Sequence, residues 1–218
     1  GYDMSSKNIS YYESEALKDS DAKIKESDED FVVSDYGPKD KLPESMRKPT
    51  IYVAFNHPVI PLSKLGEVMK SSNIFKITPE IKGTYRFYGT RLLSFEPDDE
   101  VLPQREYVIS INRDIKSLGG KSITGETSFA FKTEELRIVS YTPNQYDTPI
   151  KESKEIRLVF SYPVNINLIK KYLTVKSKEK NYNFDIKEPS KDEQITEDVR
   201  KRTVILTIGE NFPENSEV

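Results

Sequence analysis

The chain holds one histidine, His57, and no cysteine. Those two counts bound the chemistry its side chains could perform. A Ser-His-Asp triad would need His57 as its base. That residue stands between Asn56 and Pro58 at the end of an apolar run, and no serine sits in a Gly-x-Ser-x-Gly turn. A zinc site built on a single histidine would take its other ligands from carboxylates, a poor set for that ion. Without cysteine there are no disulfides, thiolate metal sites or thiol nucleophiles. Paired carboxylates occur at Asp98-Asp99-Glu100, Glu134-Glu135 and Asp192-Glu193. A glycosidase needs two that face each other at ~5–9 Å across a cleft, whereas these fall in polar turns and read as solvated loops. Gly119-Gly120-Lys121-Ser122 is like the end of a phosphate loop, but Ile115 occupies the place of the first required glycine. A strand pattern, not a helix, follows Thr124-Gly125-Glu126. The acidic run from Ser20 to Asp30 lacks the spaced Asp/Asn/Gly pattern of a calcium loop. Lys170, Lys171, Lys176, Lys178 and Lys180 interleave with Tyr172 and Tyr182, a combination that can hold single-stranded nucleic acid. Acidic neighbours and a sequence pI near 5.5 argue against that use. The sequence therefore assigns no catalytic, cofactor-binding or metal-binding residue. It points to a non-enzyme with no cofactor and no nucleic-acid partner.

The elements that would position these residues repeat. Ile51-Tyr52-Val53-Ala54-Phe55-Asn56-His57-Pro58-Val59 alternates apolar and polar positions and stops at a proline. Ile156-Arg157-Leu158-Val159-Phe160-Ser161-Tyr162-Pro163-Val164 has the same grammar. Pro38 and Pro143, Phe55 and Phe160, and Pro58 and Pro163 each stand 105 positions apart. The repeat sets Tyr162 at the position of His57, which reads as an aromatic-type site on the rim of a strand end.

In the first repeat, strand patterns run at 31–34, 50–55, 74–78, 84–88, 91–95, 106–112 and 127–133, closed by Gly or Pro turns. Ser63 to Lys70 has the spacing of a short surface helix, with Leu62, Leu65 and Met69 on one side. Lys39 to Lys48 reads as a loop. Seven short strands in about 100 residues is the count of an Ig-like sandwich. Tyr107, just after the Leu102-Pro103 turn, stands where such sandwiches place a tyrosine corner. The pattern restarts after Glu134-Glu135. A helix-like stretch spans Asn165 to Tyr172, strands are expected at 174–176, 182–186 and 202–208, and Ser190 to Lys201 reads as a charged loop. Phe212-Pro213 then stands in for Leu102-Pro103. The predicted fold class is all-β, two tandem Ig-like sandwiches. A charged tail or linker covers 1–30, the first domain 31–134, and the second 135–218. The second is expected to be incomplete at its C-terminal side, unless a neighbouring chain or Asn8-Ile9-Ser10-Tyr11-Tyr12 fills it.

Composition agrees with thin cores. Hydrophobic residues make up 35% of the 218 and charged residues 32%. There are 13 Tyr and 10 Phe but no Trp, so Tyr and Phe supply most of the core mass. A net charge of −3 exerts no general pull toward nucleic acid or anionic membrane. No apolar run approaches the ~18 residues of a membrane helix.

From Phe75 to Pro97 the residues resemble the early macroglobulin-type domains of bacterial α2-macroglobulins. The shared pattern is Pro79-x-x-x-Gly83, the aromatic strand Tyr85-Arg86-Phe87-Tyr88, Gly89-x-Arg91-x-Leu93, then Phe95-x-Pro97. Leu102-Pro103, Tyr107 and Phe129-Ala130-Phe131-Lys132-Thr133 continue it. The resemblance covers about 31–134 and the start of the second repeat, and much of it is shared with bacterial Ig-like modules in general. It implies a scaffold role near the N-terminal end of a long protease-trapping polypeptide, periplasmic or on the cell surface and lipid-anchored. Its partners would be other domains of that polypeptide and, through the whole protein, host or self proteases. The family's thioester needs a cysteine beside Gly-Glu-Gln, so no functional residue carries over to this chain. A spacer or binding module of a bacterial surface adhesin is the alternative.

Overall fold

The computed structural model describes residues 28–143, 154–177 and 180–210. The tail reading therefore lies outside the described residues except at 28–30, which are exposed. Asn8 to Tyr12, Lys178 and the Phe212-Pro213 turn also lie outside them. The chain divides into two compact units, Gly1–Glu134 and Glu135–Val218.

The first unit stacks two sheets. One follows the order β1 (Val33–Gly37), β3 (Ile51–Phe55), β7 (Leu92–Pro97), β6 (Gly83–Tyr88) and β4 (Val68–Met69). The other follows β2 (Asp40–Leu42), β9 (Ser128–Thr133), β8 (Glu106–Ile111) and β5 (Phe75–Thr78). Apart from β2, which runs parallel to β9, the pairs are antiparallel. Alternation decides which side chains fill the space between, because successive residues of a strand point to opposite faces. Ile51, Val53 and Phe55 meet Tyr107, Ile109 and Ile111 and the Phe129–Phe131 pair in one buried cluster. Each fully buried aliphatic or phenyl side chain there contributes about 1.5–3 kcal/mol.

Two stretches depart from the sequence reading. The expected helix over Ser63–Lys70 is a single 3-10 turn, Leu62–Lys64, followed by the two-residue strand β4. Gly66, at φ +80°, breaks the helical path, and Val68 and Met69 pair with Arg86 and Tyr85 instead. The Lys39–Lys48 loop contains β2, whose parallel partner β9 lies some 90 positions away in the chain and leaves no local mark. Asp40 opens β2 at φ 56°.

The second unit repeats the first sheet in the order β10 (Ile138–Thr142), β11 (Glu155–Phe160), β15 (Thr203–Ile208) and β14 (Phe184–Lys187). Its register is the same. Val33 opposes Phe55 and Ile138 opposes Phe160, and both pairs are followed by a bulge. Tyr36 opposes Val53 as Tyr141 opposes Leu158. Ile51 opposes Phe95 as Ile156 opposes Leu206. Both units carry a cis X-Pro bond after the first strand, at Gly37-Pro38 and Thr142-Pro143. The helix-like stretch is a short α-helix, Ile166–Ile169, running into a 3-10 turn, Lys170–Tyr172. The expected strand over 182–186 is two strands, β13 (Lys180–Tyr182) and β14, which belong to different sheets. β13 pairs with β12 (Val175–Ser177). The Ser190–Lys201 loop ends in a helical turn, Glu197–Lys201, capped by the Thr196 hydroxyl, which accepts from the Val199 amide.

The tyrosine corner forms. The Tyr107 hydroxyl accepts a 3.0 Å hydrogen bond from the Leu102 amide, and the Tyr107 ring stacks on Phe131 with centroids 5.2 Å apart. Thr133 joins it, donating to the Leu102 carbonyl and accepting from the Arg105 amide. Tyr107→Phe keeps the packing and removes one net hydrogen bond, so it is expected to cost about 0.5–1.5 kcal/mol. A thermal melt with an unchanged midpoint would contradict that role.

Candidate functional site

The sequence singled out His57, and the structure buries it. The ring is 3% exposed, so it does not sit on a rim, and Tyr162 at the equivalent place is 1% exposed. His57 Nε2 lies 3.1 Å from the Glu29 carbonyl oxygen, and the ring meets Phe31 edge-on at 6.0 Å. Lys121 Nζ donates to the same Glu29 oxygen at 2.7 Å. Asn56 donates from Nδ2 to the Asp30 carbonyl at 2.7 Å and accepts at Oδ1 from the Val32 amide at 2.8 Å. Phe31 forms a parallel bridge to Ile123 and is 1% exposed.

These residues make a clamp. It fastens the backbone of residues 29–32 to the end of β3 and to the Lys116–Ser122 turn. Peptide carbonyls that would otherwise lack partners are satisfied by it, which is what a chain entering a sandwich needs. The second unit repeats its centre. Ser161 Oγ accepts from the Arg137 amide at 3.1 Å, as Asn56 Oδ1 does from Val32. Arg91 Nη1 donates to the Asn56 carbonyl at 2.6 Å, and Arg202 Nη1 to the Phe160 carbonyl at 2.9 Å. Sequence reading missed Asn56, Arg91 and Arg202. The signal was present: Asn56 and Ser161 are the polar members of one repeated position.

The other candidates do not gather at one site. Glu100 pairs with Arg47 at 2.9 Å, Glu134 with Lys41 at 2.6 Å and Glu193 with Arg157 at 2.7 Å. The hydrogen bond from Arg157 holds the Glu193 carboxyl below its usual range. Among the described residues no group of His, Asp and Glu could hold a metal ion. Gly120, at φ +93°, turns a tight loop in which its amide donates to the Ser117 carbonyl. Lys121 is thereby drawn to Glu29 and away from any cradle. The interleaved lysines and tyrosines split: Tyr172 is 82% exposed, whereas Tyr182 is 4% exposed and has Lys180 over its ring. Lys180 also pairs with Glu210. A groove of about 740 Å³ runs beside β5 and β6, lined by Lys70, Lys76, Lys82, Tyr85 and Asp98 among others. Burial, aided by the nearby Glu80, pushes the Tyr85 phenol up, so it stays protonated at neutral pH and is no base.

Asp35 gives the first unit a pH dependence. Burial alone would raise its carboxyl, but hydrogen bonds from Lys39, Tyr52 and the Tyr36 amide outweigh that and hold it below the usual range. A carboxyl depressed on folding stabilises the fold above its unfolded pKa, and that stabilisation is lost as pH falls through the folded pKa. The wild-type first unit should therefore lose stability on acidification below about pH 4 more steeply than Asp35→Asn. Equal acid limbs in the two denaturation profiles would refute it.

Residues 28–133 match the family described as bacterial Ig-like domain. No curated protein matches the chain. Among solved structures, an L,D-transpeptidase from Mycobacterium smegmatis is similar at 14% identity and a TM-score of 0.33, over 49% of this chain and 41% of that one. E. coli α2-macroglobulin is similar at 12% identity and a TM-score of 0.36, over 66% of this chain and 8% of that one. The N-terminal part of the bacterial S-layer protein SbsC is similar at 15% identity and a TM-score of 0.29, over 86% of this chain and 43% of that one. The chain thus spans less than half the length of each of these three. With its β1-β3-β7-β6 and β5-β8-β9 strand orders, its tyrosine corner and this match, the segment 28–133 has an all-β Ig-like sandwich fold.

Proposed function

We propose that this chain is a non-catalytic scaffold module of a bacterial extracytoplasmic protein, and more narrowly of an α2-macroglobulin-like protease trap. The observation that carries the first part is the repeated register of the two units. His57, the one histidine, lies against a backbone carbonyl, and Asn56, Arg91 and Arg202 donate to others. Repeated β-sandwich units that carry no chemistry of their own serve to support other parts of a polypeptide. The narrower part is supported by the sequence resemblance from Phe75 to Pro97, which forms β5, the turn after cis Thr78-Pro79, and the β6–β7 hairpin. No described helix is long and apolar enough to cross a membrane.

Two measurements test this. The purified chain should turn over no generic ester or peptide; hydrolysis that disappears in His57→Ala would overturn the scaffold reading. Antibodies against this chain should detect, in the cell envelope of the source organism, a polypeptide several times its size. Protease treatment should nick that polypeptide in one region, leaving the protease bound and still active on small substrates. An array of similar units that proteases cleave without capture would replace the trap with the adhesin spacer.

A further inference from the structure

Three features of the first unit meet in the groove beside β5 and β6. The first is a phenol. Tyr85 is 8% exposed, and its ring lies against Phe75 at 5.3 Å and Phe95 at 4.8 Å. Its hydroxyl has no hydrogen-bond partner among the described residues. Tyr85 lines the groove together with Glu80, whose charge acts on that hydroxyl, so the hydroxyl sits on the groove side. A buried hydroxyl without a partner is costly, and a ligand that supplies one gains by it.

The second feature is the edge of β5. The Asn112 amide donates to the Ile74 carbonyl, and the Ile111 amide to the Thr127 carbonyl. Hydrogen-bonded and non-hydrogen-bonded pairs alternate along an antiparallel ladder. Lys76 and Thr78 therefore exchange hydrogen bonds with Ser110 and Val108, and the amide and carbonyl groups of Phe75 and Ile77 point away from β8. Among the described residues nothing pairs with those groups. Ile77 lines the groove. The third feature is charge. Lys76 and Lys82 line the same groove, are exposed, and make no ion pair among the described residues.

We propose that this groove docks an extended segment of another polypeptide, with acidic and apolar residues at alternate positions, as a strand added to β5. The main chain of the segment meets the amide and carbonyl of Ile77, and the Tyr85 hydroxyl donates to one of its carbonyls. Alternate side chains then fall on opposite faces. The apolar ones turn inward with Ile77, toward Tyr85 and Phe95. The acidic ones turn outward with Lys76, where opposite charges facing each other across strands attract. Strand addition of this kind takes its affinity from main-chain hydrogen bonds and its specificity from alternate side chains. A second copy of this chain is a poor occupant, because its own β5 would bring another Lys76 to the same edge, and like charges across a strand pair repel. The inference does not depend on the trap reading.

The test titrates the full chain with a dye-labelled, end-capped peptide of alternating valine and glutamate, about six residues long so that it spans β5. The control peptide alternates valine and lysine. The glutamate peptide should bind at least about fivefold more tightly than the lysine peptide. It should also slow exchange of the Ile77 amide while leaving the amides of the second unit unchanged. Tyr85→Phe keeps the ring packing and should weaken binding about two- to tenfold. Lys76 is exposed, so Lys76→Glu leaves the core intact, and it should reverse the preference between the two peptides. Equal binding of the two peptides, binding of neither, or an affinity unmoved by both substitutions would overturn the proposal. So would a bound peptide that leaves Ile77 exchange as it was. Dimers in sedimentation that the glutamate peptide breaks up would overturn it as well, since a second copy would then be the occupant.

Discussion

Replacing Phe55 by alanine is expected to remove about 3–5 kcal/mol from the first unit, a large share of what a domain of this size has in total. Phe55 ends β3 with 1% of its surface exposed, and its ring meets Phe31 at 5.5 Å. Phe31 in turn packs against His57 and bridges to Ile123. The cavity left by the substitution would sit under the clamp, where the polar contacts of Asn56 and Lys121 hold the backbone and hinder collapse. That places the loss toward the upper end of the range. Phe160→Ala removes the equivalent ring from the second unit, but there Leu136, Val164 and Ile166, which pack against that unit's core, are only half-buried. Its loss should fall at or below the lower end. Urea titration followed by amide exchange, read separately for β3–β7 and for β11–β15, checks both. A cost below about 1 kcal/mol for Phe55→Ala would mean that this ring is not the anchor proposed.

Gly83→Val should be nearly as damaging, for a reason of space and not of backbone freedom. A Cβ at Gly83 would lie 2.3 Å from the Glu96 carbonyl oxygen and 2.5 Å from Cζ of Phe95. The first contact is with backbone on the paired strand and cannot be relieved by a rotamer. β6 would have to part from β7, so the cost should reach the upper end of the ~1–3 kcal/mol typical of overpacking, or exceed it. Phe95→Leu in the same chain removes the ring but not the carbonyl contact, and should rescue only in part. Full rescue would show that the ring was the whole obstacle. The second unit has already made the exchange: Phe184 occupies the register position of Gly83, and Leu206 that of Phe95. The aromatic ring has changed strands while the register stayed.

His57 shows what sequence reading could not reach. Its neighbours along the chain mark a strand end, and that much was legible. That the ring turns inward, onto Phe31 and the Glu29 carbonyl, depends on residues 26 and 28 positions earlier, which no local pattern connects. β2 was missed for the same reason, since Asp40-Lys41-Leu42 alternates too little to stand out and is a strand only because β9 lies beside it. The helix expected over Ser63–Lys70 had the right apolar spacing. Gly66 and the open edge of β6 outweighed it, as an available ladder often outweighs a weak helical preference.

What the residues determined by themselves was the all-β class, the repeat and its register. Period-two alternation and proline stops act locally, so matched short sequences give matched strands. What only the tertiary structure decided was which repeated position is covered. Tyr36 and Tyr141 occupy the same register, yet one is stacked under Phe129 and the other is half in solvent. Burial is a property of what lies opposite, and a strand's own residues do not specify its neighbour across the core.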